Sequence, residues 1–526
     1  MRRVKSLAHA SMTGGRRDTG YCDRRSPSRA GRTARPIAAL LAGALALGGC
    51  DSTPSLEVTS VSVDEGWSRF RGPNGSGVAT AVGLPTRFGP GDNEAWRTPL
   101  PPGHSSPVLA AGRIFLTAVD EGTLYTYALD QASGEVLWRQ PAPRPREEPL
   151  NRLNNPASPT PAADGSGVYV FFGDFGLIAY DADGSERWQL PLGPFDNAYG
   201  MAASPVVVNG QVIQVCDQRS GAFMIAVGAQ DGVVRWRVDR PGSSTGHSTP
   251  IIFRPPTGET QLLIPGSFRL AAFAPSTGER LWWVSGLAFE MKAVPVLSAD
   301  SATVYINGTS STAFDDSHDG AIPPYDDVVE YDTDGDGLFQ PEQIPDELAR
   351  RWIRLIDLDG DGALNRQEWE WFRSARASRG GINAFKTGGR GDMTASSFRW
   401  NHGRSVPQLP SALLYEGVLY MVDDGGIVTL LDPDSGEVLH RGRLYDAIES
   451  YFASPVAGDG KVFMVSEACK VAVLRPGPTL DILVVNDLDD ICFATPAIDE
   501  NHIYLRTRSA LHAFAVPAPA GSSQRP

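Results

Sequence analysis

Ser106 to Gln140 reads SPVLAAGRIFLTAVDEGTLYTYALDQASGEVLWRQ, and its punctuation decides the fold. A Ser-Pro opening leads into an apolar run, Pro107 to Ala111. Gly112-Arg113 turns into Ile114 to Val119, and Asp120-Glu121-Gly122 turns into Leu124 to Leu129. Asp130 to Gly134 turns once more, into Glu135-Val136-Leu137-Trp138. Four short β-branched and aromatic runs split by Gly and Asp predict a four-stranded antiparallel meander. One such sheet, apolar on both faces, cannot bury itself and needs copies as neighbours.

The copies follow. The opening recurs as Ser158-Pro159, Ser204-Pro205, Thr249-Pro250, Val294-Pro295, Ser411-Ala412, Ser454-Pro455 and Thr495-Pro496. The successive spacings are 52, 46, 45, 45, 117, 43 and 41. A period near 40–45 residues with four strands per unit predicts propeller blades. The closing signature recurs as well. Ala128…Gly134…Trp138, Ala226…Gly232…Trp236 and Ala272…Gly278…Trp282 share one spacing, and Ala179…Gly184…Trp188 is one residue shorter. The expected fold is all-β, an eight-bladed β-propeller of four-stranded antiparallel blades. Blade eight, Cys492 to Pro517, stops before its fourth strand. Glu94-Ala95-Trp96-Arg97 has no sheet of its own and is expected to fill that place, closing the ring without an open edge.

The motif A-x-D-x-x-S-G-E-x-x-W at Ala128 to Trp138 resembles the tryptophan-docking repeat of pyrroloquinoline-quinone (PQQ)-like β-propellers. The leader Trp67-Ser68-Arg69-Phe70-Arg71-Gly72-Pro73-Asn74-Gly75 is similar to a segment that precedes such bacterial propellers. The resemblance spans residues 66–517. It implies one of two functions: catalysis, as in quinoprotein alcohol dehydrogenases, or non-catalytic scaffolding, as in BamB-like envelope lipoproteins. For the enzyme it implies adjacent cysteines over the quinone, a funnel-held Ca²⁺ and a catalytic Asp. No Cys-Cys pair occurs in the chain.

Residues 1–36 hold ten basic and two acidic groups, so the formal charge of −14 for the whole chain falls to about −22 without them. No basic field remains to recruit phosphates, which argues against nucleic acid as a partner. Ile37 to Gly49 is too short to span a bilayer and fits a signal-peptide core. Leu47-Gly48-Gly49-Cys50 resembles a bacterial lipobox. The expectation is a signal peptide over 1–49, lipidation at Cys50 and a polar tether over 50–65. A membrane contact through the lipid then places the chain in the cell envelope, on the periplasmic face. Residues 518–526 read as a disordered tail. Apart from Cys22 in the leader and Cys50, three cysteines remain. The reading adopted is burial of Cys216, Cys469 and Cys492 as free thiols, with a Cys469–Cys492 pair as the alternative.

The spacing of 117 marks an insert in blade five. The blade opens over Val294 to Ser298 and Thr303 to Ile306, resumes at Gly381 to Phe385 and ends near Trp400, so the ring is split into 66–311 and 381–517. The insert, 312–380, carries the clearest chemistry. Asp357, Asp359, Asp361, Ala363 (through its carbonyl), Asn365 and Glu368 occupy every ligand position of a twelve-residue EF-hand loop, with Gly362 at the tight turn. Asp332, Asp334, Asp336, Leu338 (through its carbonyl), Gln340 and Gln343 form a second such loop. Its last position offers one neutral oxygen where Glu offers two charged ones, so weaker Ca²⁺ binding is expected there. One helix, Pro345 to Ile356, is expected to serve both loops, with Trp352, Trp369, Trp371 and Phe372 as a small core. Seventeen acidic and five basic residues between Asp315 and Ala375 predict a module ordered by metal.

Other candidates read as structural. His104 and His247 precede the blade opening at one repeat position, with a funnel-lining role open to them. Arg390-Gly391-Asp392 lies in a Gly-rich turn. Asp423 to Gly426 and Asp487 to Asp490 read as solvated acidic turns. The expected function is a non-catalytic envelope scaffold, BamB-like, with an envelope protein or polymer as partner and Ca²⁺ in the insert. The alternatives are a PQQ-dependent oxidoreductase with an atypical site, and a calcium-dependent polysaccharide or adhesion accessory.

Overall fold

The computed structural model describes residues 66–517 except 245, 310–321 and, within one helix, 346, 348–349, 351–352 and 354–355. The expected signal peptide, Cys50, the expected tether, the first residues of the insert, Trp352 and the expected tail lie outside the described residues.

Eight antiparallel meanders form the ring. Blade one is Val108–Ala110, Arg113–Asp120, Thr123–Asp130 and Val136–Ala142, as its turn residues dictate. Its middle strands are buried on both faces, whereas the outermost strand alternates toward solvent. The other blades repeat this plan, and apolar clusters fill the wedges between them. Glu94–Pro99 pairs antiparallel with Ala510–Ala515 as the outer strand of blade eight. The strand before blade one and the last described strand thus share one sheet, which completes blade eight to four strands.

The Ser/Thr-Pro openings do more than turn the chain. The Ser106 N–H donates to Thr160 Oγ1 at 2.9 Å, Thr160 N–H to Ser204 Oγ at 3.0 Å, and Ser204 N–H to Thr249 Oγ1 at 3.0 Å. The belt continues from Val294 to Ser411, Ser411 to Ser454, Ser454 to Thr495, and Thr495 back to Ser106. At seven of the eight steps a blade satisfies a buried backbone donor of the one before it. The link from Thr249 is missing because Val294 carries no hydroxyl. This geometry corrects one register. The opening of blade two is Thr160-Pro161, not Ser158-Pro159, and the Ser158 hydroxyl instead bonds Asn154 in the preceding loop.

A second set of contacts joins blades farther out. Trp96 lies against Gly134 of blade one, where a Cβ would come within 2.4 Å of the indole, and Gly134 holds φ at +73°. Only glycine meets both demands. The Trp138, Trp188, Trp236 and Trp400 indoles dock on the following blade in the same way, each donating to a turn carbonyl at 2.8–3.0 Å. Trp282 departs from the pattern. The third-to-fourth-strand turn of blade five that would receive it is lengthened over residues 387–397, and its indole N–H bonds Gln261 Oε1 at 2.8 Å. A two-residue strand, Gly391–Asp392, runs parallel beside Trp282 and Trp283, adding a fifth strand to blade four.

The leader stoppers one end of the ring. Trp67 O accepts from Leu109 N–H at 2.8 Å and Ser68 O from Ala163 N–H at 2.8 Å. Asn74 exchanges two bonds of 2.7 Å with Ile252. Gly77 and Ala79 bond both sides of Ala457. Arg71 is fully buried, donates to Ala412 O at 2.9 Å, and is pushed down to about 9 by desolvation. Backbone groups of blades one, two, four, six and seven therefore converge on one short segment.

Cys469 and Cys492 are disulfide-bonded, which corrects the free-thiol reading. The hairpin of blade seven brings Cys469 to the connector that enters blade eight. Cys216 is buried and free.

Candidate functional site

The insert leaves blade five between Thr303–Gly308 and Gly381–Lys386. Glu347, Arg350, Ile353 and Ile356 are helical, as a single shared helix requires, and Arg366–Arg376 forms the exit helix. Asn365 caps that helix, accepting from Glu368 N–H, while Glu368 Oε2 accepts from Asn365 N–H. The two loops pair through their eighth residues: Phe339 and Leu364 exchange backbone bonds of 2.8 and 2.9 Å. Trp369, Trp371 and Phe372 are buried with Phe339 and Ile356 in one cluster, as expected of the small core.

The module is not a loose graft. Trp371 donates to Gly242 O at 2.9 Å and meets Phe268 and Phe289 edge-on at 5.2 and 5.4 Å. The second-to-third-strand hairpins and the blade connectors lie on one face of the ring, so the insert, the 143–161 connection and the disulfide share that face.

Within each loop three carboxylates converge, with oxygens within 4.8 Å of one another: Asp332, Asp334 and Asp336, and Asp357, Asp359 and Asp361. Asp357 accepts from Gly360 and Gly362 N–H, the curl that brings alternate residues around one point. This donor set fits Ca²⁺. The twelfth positions differ. Glu368 is buried and accepts from Leu358 N–H at 2.6 Å, closing the loop with charge. Gln343 gives its oxygen to Gln340 N–H at 2.8 Å and turns its amide nitrogen to Asp334 Oδ1 at 3.2 Å. A neutral donor sits where the second loop has an anionic acceptor. Ala363 and Leu338 sit at the carbonyl position and Asn365 and Gln340 at the ninth, each within its own loop.

A second candidate lies on the ring axis. A cavity of about 390 Å³ is lined by the residues that lead into the innermost strands, with Phe70 of the leader as its floor. His104 and His247 both reach it, and their N–H groups donate to the next blade at Ala157 and Met291, so they are repeat residues and funnel-lining at once. His104 stacks on Phe493 at 4.1 Å, and Phe493 meets Phe452 at 4.9 Å. Burial, reinforced by Arg506 and Arg508, pushes His104 down to about 4. Burial and Lys292 push His247 down to about 4, and its Nε2 is sealed from solvent without a partner. Among the described residues Lys292 is the one charged residue lining the cavity, and it is paired with Glu290 at 2.6 Å. Glu290 also accepts from the Tyr199 hydroxyl at 2.8 Å and is held below its usual range by Lys292 and these bonds against the cost of burial.

This lining does not fit a calcium–quinone centre. Ca²⁺ takes six to eight oxygens, mostly charged carboxylates. Among the described residues no carboxylate lines the cavity to supply them. Sequence reasoning found the histidines by their repeat position. It missed Phe70 in the leader, and Tyr199 and Lys292, which stand at unrelated places in their blades and carry no spacing signal.

The arrangement is that of an eight-bladed β-propeller, and the comparisons with known proteins support a PQQ-like one. A family model described as "Outer membrane protein assembly factor BamB" matches residues 89–223 and 198–323. No curated protein matches the sequence. Quinohemoprotein alcohol dehydrogenase from Comamonas testosteroni superposes with a TM-score of 0.51 at 12% identity, over 88% of this chain and 82% of that one. A europium-containing methanol dehydrogenase gives 0.50 at 10% identity, over 84% and 96%. BamB from Moraxella catarrhalis gives 0.49 at 12% identity, over 80% and 100%. At such identities the likeness is one of fold, and function rests on the site itself.

Proposed function

We propose that this chain is a non-catalytic scaffold of the bacterial cell envelope, anchored by lipid at Cys50 and carrying a calcium-ordered EF-hand pair. The observation that carries the reading is the axial cavity, floored by the leader and lined without a carboxylate. Among the described residues that lining supplies no carboxylate for Ca²⁺ or for proton transfer, and burial holds its two histidines down to about 4. The family model's description supports an envelope role. The insert-bearing face also exposes apolar side chains suited to a partner protein: Leu153, Leu409, Tyr445 and Ile448, with Tyr445 80% exposed. Exposed aromatic and aliphatic groups of this kind mark interaction surfaces when they gather on one side. Ca²⁺ would be held by Asp357, Asp359, Asp361, the Ala363 carbonyl, Asn365 and Glu368, and more weakly by the first loop.

The test uses the purified chain with PQQ, Ca²⁺ and a redox dye on primary alcohols. The expected result is no dye reduction above the protein-free control. Site-specific photo-crosslinking from position 445 in the cell is expected to give one discrete envelope-protein adduct. PQQ-dependent turnover would overturn the reading.

A further inference from the structure

Beside the axial cavity lies a smaller one, about 230 Å³, sharing His104, Leu153, Asn154 and Phe493 as a common wall. Three arginines line it: Arg152, Arg506 and Arg508. No carboxylate does. In a chain of net charge −14 that is an anomaly in need of a cause.

Arg506 is the informative member. It is 1% exposed, at the end of the second strand of blade eight. Its guanidinium reaches Ser105 O at 3.0 Å, Ser105 Oγ at 2.7 Å and Pro101 O at 3.4 Å, all neutral acceptors. Its Nε is buried with no partner. Among the described residues none of the three arginines forms an ion pair. Arginines elsewhere in the same ring of loops are matched. Arg240 bonds Asp217 at 2.7 Å and Arg144 bonds Asp174 at 2.7 Å. A buried cation left without a counter-charge is costly, and desolvation pushes Arg506 down to about 9. Asp490, next to the lining residue Ile491, accepts from the Ser509 hydroxyl at 2.7 Å and forms an ion pair with none of the three. The seat is built for this side chain: at Gly103 an added Cβ would come within 2.3 Å of the Arg506 guanidinium and 2.6 Å of Thr117 O.

We propose that the three-arginine cavity is an oxyanion site, taking the phosphate or carboxylate of a small solute whose aromatic body lies in the main cavity against His104 and Phe493. Arg152 and Arg508 are exposed and free to grip the anion, and Arg506 beneath them supplies a fixed positive field. Neutral His104 adds no charge and presents a flat face that already stacks on Phe493. A planar body continuing that stack fits the shared wall. This site is independent of whether a partner protein docks on the face around it, and binding measured without any partner separates the two claims.

Calorimetry on the full chain at pH 7 tests it with phenyl phosphate, benzoate and inorganic phosphate. Phenyl phosphate is expected to bind saturably and at least about tenfold more tightly than inorganic phosphate, as added aromatic contact predicts. The Arg152→Gln/Arg508→Gln double variant, altered only at exposed side chains, is expected to lose tenfold or more, and Arg508→Lys to keep part of the affinity. Phenyl phosphate against benzoate decides between phosphate and carboxylate. Absence of saturable binding by all three, or unchanged binding in the double variant, overturns the site. Equal affinity for phenyl and inorganic phosphate overturns the aromatic half of the proposal.

Discussion

The ring and its insert are ordered by opposite means. The ring is held by groups that satisfy one another inside the chain: a belt of hydroxyl acceptors, docked indoles, and a sheet shared by both ends of the fold. The insert gathers carboxylates within 4.8 Å of one another on each loop and has few cations to offset them. One region carries its own counterparts. The proposed Ca²⁺ would supply them to the other. A charge cluster can therefore survive in a protein whose scaffold would stand without it, provided the cluster is confined to a separate core, here the aromatic cluster around Phe339 and Trp369.

If that contrast is sound, damage to the ring should cost the most and should not depend on calcium. Trp282 is fully buried, and Trp282→Ala is expected to lose about 3–5 kcal/mol in urea unfolding, equally with Ca²⁺ and with chelator. A calcium-dependent loss would blur the distinction. The metal loops come next. Asp357→Ala is expected to abolish the tighter calorimetric site, and Gln343→Glu to strengthen the weaker one by about tenfold, since a bidentate anion replaces an amide. Unchanged isotherms would mean that the loops do not bind as assigned.

Acid should act on the ring through the funnel. His104 and His247 are held near 4, against about 6.5 in an unfolded chain. Between those values the unfolded state takes up protons that the folded state refuses, so stability falls as the pH drops from about 6.5 to 4. The loss should be roughly 1–3 kcal/mol per histidine, and His247→Gln should flatten the acid limb of a pH–stability curve. The smallest effect expected is a gain. Val294→Thr places a hydroxyl where the belt lacks one, and thermal unfolding should rise by an amount equivalent to about 0.5–1 kcal/mol. Thr160→Val, which strands the Ser106 N–H, should cost about 1–3 kcal/mol.

Much of this was legible in the residues. Eight blades followed from the recurring Ser/Thr-Pro openings. The closing role of Glu94 to Arg97 followed from a blade that ended one strand short. The shared helix and the small aromatic core of the insert followed from the short spacing of the two loops and from Trp369, Trp371 and Phe372. What stayed hidden depended on distance in space rather than spacing in sequence. Ser158-Pro159 and Thr160-Pro161 are adjacent copies of one dipeptide motif, and only the hydroxyl that meets Ser106 decides between them. The leader's role as a stopper rests on backbone carbonyls, to which side-chain patterns are blind. Cys469 and Cys492 pair because a hairpin and a connector of neighbouring blades meet, 23 residues apart in the chain. Arg506 looks like any strand-ending arginine until its missing carboxylate is sought.

Hydrogen exchange on the full chain, with Ca²⁺ and then with chelator, tests the contrast most directly. The account predicts that protection over residues 325–376 collapses on chelation while the inner strands of all eight blades keep theirs. Loss of protection throughout the ring, or an insert equally protected without metal, would contradict it.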